Sequence, residues 1–185
     1  KYYDNLTVSS APHQVSMVDT TKIMGMVLLA LVPSFGVSIY VFGYRVITLT
    51  IVCVVASVAF EWLFNALLKR RQTVGDLSAV LTGVLIAFNV PSSLPYWMAV
   101  VGCFVAVILV KQLFGGIGQN LFNPAVTARI VLFISFATEM TTWPVPRGSG
   151  TDAVTGPTPL GILSEGGGEL PSNLDLFIGT VGGCI

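Results

Sequence analysis

The sequence predicts an all-α, polytopic integral membrane protein, a helical bundle with interrupted or re-entrant helices. Of its 185 residues, 54% are hydrophobic and only 10% are charged, and the mean hydropathy is +0.83. Soluble domains carry about 25% charged residues, so this composition points to a bilayer rather than to a water-soluble core. The apolar residues also fall into successive runs, and two of these runs are short or broken by Gly and Pro. Such breaks are typical of spans whose unpaired backbone lines a cavity.

Four regions follow one another along the chain. Residues 1–22 are polar and predict a cytoplasmic juxtamembrane arm. Residues 23–140 predict a transmembrane bundle of about five spans, and residues 141–173 predict a long extracytoplasmic loop rich in Gly and Pro. The apolar run at residues 174–185 begins a further span but is shorter than the roughly 20 residues that a crossing requires. We therefore expect the sequence to be a fragment of a longer chain.

The third and fifth of the predicted spans are the unusual ones. The third has only 14 residues before Pro91, and the fifth follows a Gly-rich stretch and starts near Asn120, Asn123 and Pro124. Interrupted spans can meet a ligand, but Pro at a helix end is also an ordinary start or stop signal. Both interpretations stay open at this stage. The five predicted spans are residues 23–43, 46–68, 77–90, 96–114 and 121–140.

The distribution of Lys and Arg predicts the orientation, because cytoplasmic flanks carry the excess of positive charge. Alternating spans place five basic residues on one side and two on the other, so the first side is predicted to be cytoplasmic and the loop at 141–173 extracytoplasmic. The minority pair includes Arg45, which is predicted to lie in a very short turn. The five are Lys22, Lys69, Arg70, Arg71 and Lys111, and the two are Arg45 and Arg147.

Two of the charged residues inside predicted spans are candidates for a functional role. Arg129 lies within the fifth span, where an Arg costs a few kcal/mol and usually faces a partner in the protein interior. A flavin, a phosphate or a carboxylate would serve as that partner, and a contact with another subunit or a snorkelling side chain are the alternatives. Glu61 lies in the second span and is a candidate for a coupling-ion role, unless its side chain reaches the interface near residues 69–71.

Several classes of function are excluded. The net charge is zero, so there is no basic surface for nucleic acid. The three cysteines are widely spaced and there is one histidine, which predicts neither a metal site nor a disulfide framework, and places Cys53 and Cys103 as small apolar side chains. The glycines at 115, 116 and 118 match neither a dinucleotide nor a P-loop pattern. No catalytic triad or paired carboxylates are evident, so no self-contained catalytic site is predicted.

A Thr-Gly-Pro-Thr-Pro-Leu segment at residues 155–160 is the most informative motif of the long loop. Thr, Gly and Pro are common turn residues, so a structural turn is the simplest interpretation. A threonine hydroxyl can also form a phosphoester, and Pro157 and Pro159 would stiffen the backbone on both sides of Thr158. Thr158 is therefore a candidate attachment point for a phosphorylated cofactor.

Taken in order, four segments resemble the NqrB/RnfD family, which includes the D subunit of the Rnf complex and the B subunit of the sodium-pumping NADH:quinone reductase. Their co-occurrence is more specific than any single motif, and Pro159 together with the residues of the N-terminal arm favours the Rnf branch. The segments are Leu-Thr-Val-Ser-Ser-Ala-Pro-His at 6–13, Gly-Asp-Leu-Ser-Ala-Val-Leu-Thr-Gly at 75–83, Gly-Gln-Asn-Leu-Phe-Asn-Pro-Ala at 118–125, and residues 155–160.

This resemblance implies two flavins. FMN would be bound covalently to the phosphoryl-accepting Thr158, the last Thr of a motif completed by Thr155, Gly156 and Pro157. Pro157 stands where the family usually has Ala. A non-covalent riboflavin near the fifth span would map to Asn120 and Asn123.

The implied function is electron relay in an ion-translocating complex of the bacterial inner membrane. Electrons would pass from reduced ferredoxin to NAD, coupled to the movement of Na⁺ or H⁺. The implied partners are the other membrane and peripheral Rnf subunits, a second flavin-bearing subunit, and membrane lipid. A small-molecule or ion transporter with broken helices, or a structural scaffold, are the alternatives. Neither of these needs a flavin-bearing threonine.

Overall fold

A computed structural model of the chain describes residues 19–69, 72–144, 155–156, 163–164 and 172–178. The sequence predictions that fall on other residues lie outside this description. They concern the arm motif at 6–13, the charges Arg70, Arg71 and Arg147, the motif residues from Pro157 to Leu160, Thr158 included, and Cys184.

The chain enters the bundle through two long helices that are joined by a single residue. Helix α1 spans Thr20–Phe42 and helix α2 spans Tyr44–Leu67, and both are long and apolar enough to cross a membrane. Gly43 between them has φ 82°, a left-handed conformation that Gly adopts without steric cost. Arg45 consequently lies in the first turn of α2, and not in the turn where the sequence placed it.

The remaining described elements are short. The predicted fifth span differs most from the structure, because the backbone breaks at Phe136 (φ −135°, ψ 57°) and leaves two helices in its place. A 3₁₀ turn at Val74–Asp76 precedes the third helix. In order, the elements are α3 Ser78–Asn89, α4 Tyr96–Phe104 continued by a π-helical segment Val105–Gln112, α5 Pro124–Ser135, α6 Ala137–Thr141, β1 Trp143–Pro144, β2 Thr155–Gly156 and α7 Asn173–Ile178.

The surface of α4 and the π-helical segment after it is apolar. The exposed large side chains there and in the two residues that follow include Val101, Phe104, Leu109, Leu113 and Phe114, each at least 40% exposed. Hydrogen bonds from i to i+5 make the turns of the π-helical segment wider than α-helical turns, and Leu109 is the exposed residue within that segment.

Helix α2 forms the centre of the bundle, with its most extensive packing against α3 and then α4. The approach to α3 is close because Gly83 has no side chain: a Cβ there would lie 2.8 Å from Cα of Val54 and 2.9 Å from the carbonyl oxygen of Cys53. Cys53 and Cys103 are fully buried in this core, which confirms their interpretation as small interior side chains. Small residues at contacts are how membrane helices pack closely.

Helix α1 has an apolar surface on nearly every side. Its single buried residue is Ser38, while Leu29, Val32 and Tyr40 are 72%, 58% and 85% exposed. A helix that is hydrophobic all round is either buried or a membrane span. The predicted all-α bundle with interrupted helices is therefore confirmed, with β structure limited, in the described chain, to the two-residue strands.

Candidate functional site

A buried ion pair joins α2 to the π-helical segment. The Nζ of Lys111 lies 2.7 Å from Oε2 of Glu61, and the two side chains are 3% and 0% exposed. Lys111 also donates to Oγ of Ser78 at 2.7 Å. Charges removed from solvent are tolerated only when they are paired and hydrogen-bonded, and here each charge has at least two partners.

The second oxygen of the same carboxylate is held from the opposite side. The hydroxyl of Thr73 donates to Oε1 of Glu61, and Nδ2 of Asn65 donates to Thr73 Oγ1 at 3.1 Å. Glu61 therefore bridges two polar groups that stand on different elements of the fold. Contacts within the protein are enough to fix the carboxylate in place.

These contacts correct two interpretations made from the sequence. Glu61 does not reach the interface near residues 69–71, because it is fully buried. Lys111 lies in the last turn of its helix, but it is a buried counter-ion of Glu61 and not an exposed flanking charge. The remaining positive charges still favour the same side, by four against two.

Two cavities lie next to the ion pair, and Lys111 and Ile117 contribute to the walls of both. One has a volume of about 420 Å³ and extends over Ser78 to the start of α5. The other has a volume of about 340 Å³ and is lined by Glu61 and Asn65 with their neighbours. Both volumes fall in the range of sites for small molecules, roughly 300–1,000 Å³.

Asn120 and Asn123, which the sequence proposed as ligand-binding residues, both line the larger cavity. Asn123 is the N-cap of α5, and its Oδ1 accepts the N–H of Ala125 at 3.1 Å. Asn120 Oδ1 is buried with no hydrogen-bond partner among the described residues. A buried polar atom without a partner indicates a missing ligand or water, so Asn120 has an acceptor left for one.

Arg129 stands apart from this pair of asparagines. It lies on α5 beyond the cavity wall, and its Nη1 donates to Oδ1 of Asn89 at 3.3 Å. Its partner among the described residues is thus a neutral amide of α3, and a flavin or phosphate partner stays a prediction. The structure brings Asn120 and Asn123 together and places Arg129 at a helix–helix contact.

The opposite end of the bundle is organised by Arg45. Its Nε and Nη2 donate to the carbonyl oxygens of Ser92 and Ser93 at 2.9 and 3.0 Å. The guanidinium also lies 5.7 Å from the ring centroid of Tyr96, within reach of a cation–π contact. Arg45 thereby connects the loop between α3 and α4 to the start of α2 through hydrogen bonds.

The described part of the threonine motif lies in strand β2. Trp143 pairs with Gly156 and Pro144 pairs with Thr155, in antiparallel register. Strand β1 borders a small cavity of about 30 Å³ whose walls also include Phe42 of α1. Thr155 and Gly156 are therefore connected, through β1, to the same end of the bundle as Arg45.

Sequence reasoning missed Lys111 as a site residue, together with the hydroxyl groups of Ser78 and Thr73. The pairing of Glu61 with Lys111 joins positions 50 residues apart, which no local pattern can predict. A signal was nevertheless present, because each of these two charges closes or interrupts an apolar run. Charges at membrane depth usually pair with one another.

These features define an apolar helical bundle with interrupted helices and polar cavities beside a buried ion pair, a class to which membrane transporters and membrane redox subunits belong. The sequence matches the model of the NQR2, RnfD, RnfE family over residues 7–185. The chain belongs to this family, and the predicted membership is confirmed.

Three relatives are similar over most of the chain. The D subunit of the Na(+)-translocating ferredoxin:NAD(+) oxidoreductase complex of Acetobacterium woodii is 49% identical over 185 residues, covering 98% of this chain and 57% of the relative. The D subunit of the proton-translocating ferredoxin:NAD(+) oxidoreductase complex of Clostridium ljungdahlii is 37% identical over 188 residues, covering 97% and 57%. The D subunit of an ion-translocating oxidoreductase complex of Shewanella pealeana is 39% identical over 141 residues, covering 75% and 40%. The chain thus spans a little over half the length of the first two.

Proposed function

We propose that the chain belongs to a D subunit of an Rnf-type, ion-translocating ferredoxin:NAD oxidoreductase complex, and that it carries FMN covalently bound to Thr158 as an electron relay. The observation that carries this proposal is the family match over residues 7–185, which contains the whole threonine motif. The two relatives that cover nearly the whole chain are named for Na⁺ and for protons. Ion translocation follows from this assignment, and the choice of ion does not.

The arrangement of helix ends supports a multi-pass topology with the motif on the outer side. Lys111, Ser78 and the start of α5 meet at one end of the bundle, while Arg45, Ser93 and Thr142 meet at the other. Successive elements thus run in alternating directions. The end that contains Arg45 is the extracytoplasmic one under the positive-inside rule, and the motif loop follows directly from it.

The residues beside Thr158 suit a covalent attachment point. Pro on both sides of a threonine restricts the backbone, and a hydroxyl is the group from which a phosphoester is made. Thr155 and Gly156 are held by β1, so the motif begins at a defined place on the bundle. A flavin bound there would supply a carrier that accepts electrons singly, and the protein would supply its position and surroundings.

We also propose that the cavity of about 420 Å³ binds the non-covalent riboflavin. An isoalloxazine ring is planar and largely apolar, with hydrogen-bonding atoms along one edge. Ile117, Leu121 and Phe122 supply apolar walls, and Asn120 Oδ1 is the acceptor without a partner among the described residues. These residues would bind and orient the ring, with Lys111 as a nearby positive charge.

The decisive experiment uses the purified complex on a denaturing gel under ultraviolet light, followed by mass spectrometry of the loop peptide. We expect a fluorescent band and a peptide that carries FMN less one water on Thr158. Thr158→Ala should abolish the fluorescence of this chain's band while the protein still inserts, and Thr155→Ala is the matched control in which the band should stay fluorescent. Covalent flavin in the Thr158→Ala protein would refute the assignment. A dark band from the unaltered chain, in a host that attaches flavins, would favour a transporter instead.

A further inference from the structure

The segment that leads to Thr158 is connected to the bundle by a continuous set of hydrogen bonds. It begins at Arg45, whose guanidinium donates to two successive carbonyl groups of the loop between α3 and α4, at Ser92 and Ser93. A planar guanidinium with two donors fixes both the position and the direction of what it binds. Arg45 is one of the two basic residues on the predicted outer side, so the preference of positive charges for the cytoplasmic side does not explain its position.

The same loop then binds the strand. Ser93 Oγ donates to the carbonyl oxygen of Thr142 at 3.2 Å, a contact between positions 49 residues apart. Thr142 immediately precedes Trp143, which pairs with Gly156. The side chains of Trp143 and Pro144 also line the small cavity between the ends of α1, α2 and α3. The chain of contacts thus runs from α2, through the loop and β1, to β2.

We propose that Arg45 and Ser93 are positioning residues for the cofactor-bearing threonine, an inference that rests on the proposed function. Thr158 follows Gly156 by two residues, and two residues reach at most about 7 Å. Fixing Gly156 therefore limits, through the length of the chain alone, how far Thr158 can lie from strand β2. Electron relay depends on the distance between carriers, so a tether of this kind would set the distance from the flavin to the bundle.

The test compares Ser93→Ala with Ser92→Ala in the purified complex. The first substitution removes the hydroxyl that binds Thr142, whereas Ser92 participates through its carbonyl oxygen, which alanine retains. Hydrogen exchange followed by mass spectrometry reports on the peptides that contain residues 142–144 and 155–156. Loss of one such hydrogen bond should raise their exchange rate about fivefold in Ser93→Ala. Ser92→Ala should exchange like the unaltered chain.

A second readout follows the flavin itself. Quenching of the covalent flavin fluorescence by iodide should increase in Ser93→Ala and in Arg45→Gln, with unchanged flavin content on the denaturing gel. Arg45→Lys keeps the charge but cannot bind both carbonyl groups in one plane, so it should behave like Arg45→Gln.

The possible outcomes separate this inference from the proposed function. Unchanged exchange and quenching in both Ser93→Ala and Arg45→Gln would overturn it, and so would equal changes in Ser92→Ala. Absence of covalent flavin from the unaltered chain would refute the proposed function and, with it, the positioning role. The hydrogen-exchange measurement would still report whether Arg45 and Ser93 hold strands β1 and β2 in place.

Discussion

Removing Lys111 tests most directly how the bundle is held together. In Lys111→Met the carboxylate of Glu61, which is 0% exposed in the unaltered chain, loses the Nζ contact at 2.7 Å, and Ser78 loses its donor as well. Breaking a buried pair by removing one partner costs about 3–5 kcal/mol, because the other charge is left uncompensated. We expect the free energy of unfolding to fall by that amount.

The double variant Glu61→Gln/Lys111→Met separates the cost of a stranded charge from the cost of lost packing. Both charges are then absent, and the amide oxygen of glutamine can still accept from Thr73. Replacing a buried pair by uncharged residues of similar volume is often neutral or stabilising, so most of the lost stability should return. Lys69→Met is the matched control, since Lys69 is exposed and should change stability by less than about 0.5 kcal/mol.

The measurement is reversible unfolding in mixed detergent micelles, followed by the fluorescence of the three tryptophans. A Lys111→Met protein within about 1 kcal/mol of the unaltered chain would show that the pair is not an interior one. A double variant as unstable as Lys111→Met would show that packing of the lysine stem, and not charge, carries the effect.

Two further predictions concern packing and the larger cavity. Gly83→Ala should destabilise the bundle by about 1–3 kcal/mol, because its Cβ would lie 2.8 Å from Val54 Cα. Gly36→Ala is the control and should leave the stability unchanged, because nothing lies within 4 Å of its Cβ. Equal effects of the two substitutions on thermal unfolding would contradict the close contact between α2 and α3. Asn120→Ala should lower the riboflavin recovered on denaturing extraction about fivefold at limiting flavin, through one lost hydrogen bond. Gln119→Ala, outside the cavity wall, should recover the full amount, and retention in both variants would exclude this cavity.

The general architecture was predictable because composition and the lengths of apolar runs bear on it directly. The first two helices begin and end within three residues of the predicted spans, since Gly43 separates two long apolar runs. The break at Phe136 was not predictable, because neither Gly nor Pro stands there. It follows from a single backbone conformation, φ −135° and ψ 57°, that leaves no local signature in the chain.

The candidate site was predictable only where it depends on local motifs. Asn120 and Asn123 lie three residues apart next to a helix start, so their shared cavity could be anticipated. The partner of Arg129 could not, because Asn89 is 40 residues away on a different helix. The partners of Arg45 could not be predicted either, since its two carbonyl partners belong to a loop 47 and 48 residues downstream.

The π-helical turns have a consequence for the evolution of this helix. Hydrogen bonds from i to i+5 make the turns of Val105–Gln112 wider than α-helical turns, so the direction of every side chain that follows depends on how many residues the segment contains. Deleting a single position within it would rotate everything that follows by about 100°. Lys111 would then turn away from Glu61, even though every side chain of the pair was still present. Insertions and deletions in this helix should therefore be far rarer than substitutions, because either would turn Lys111 away from Glu61.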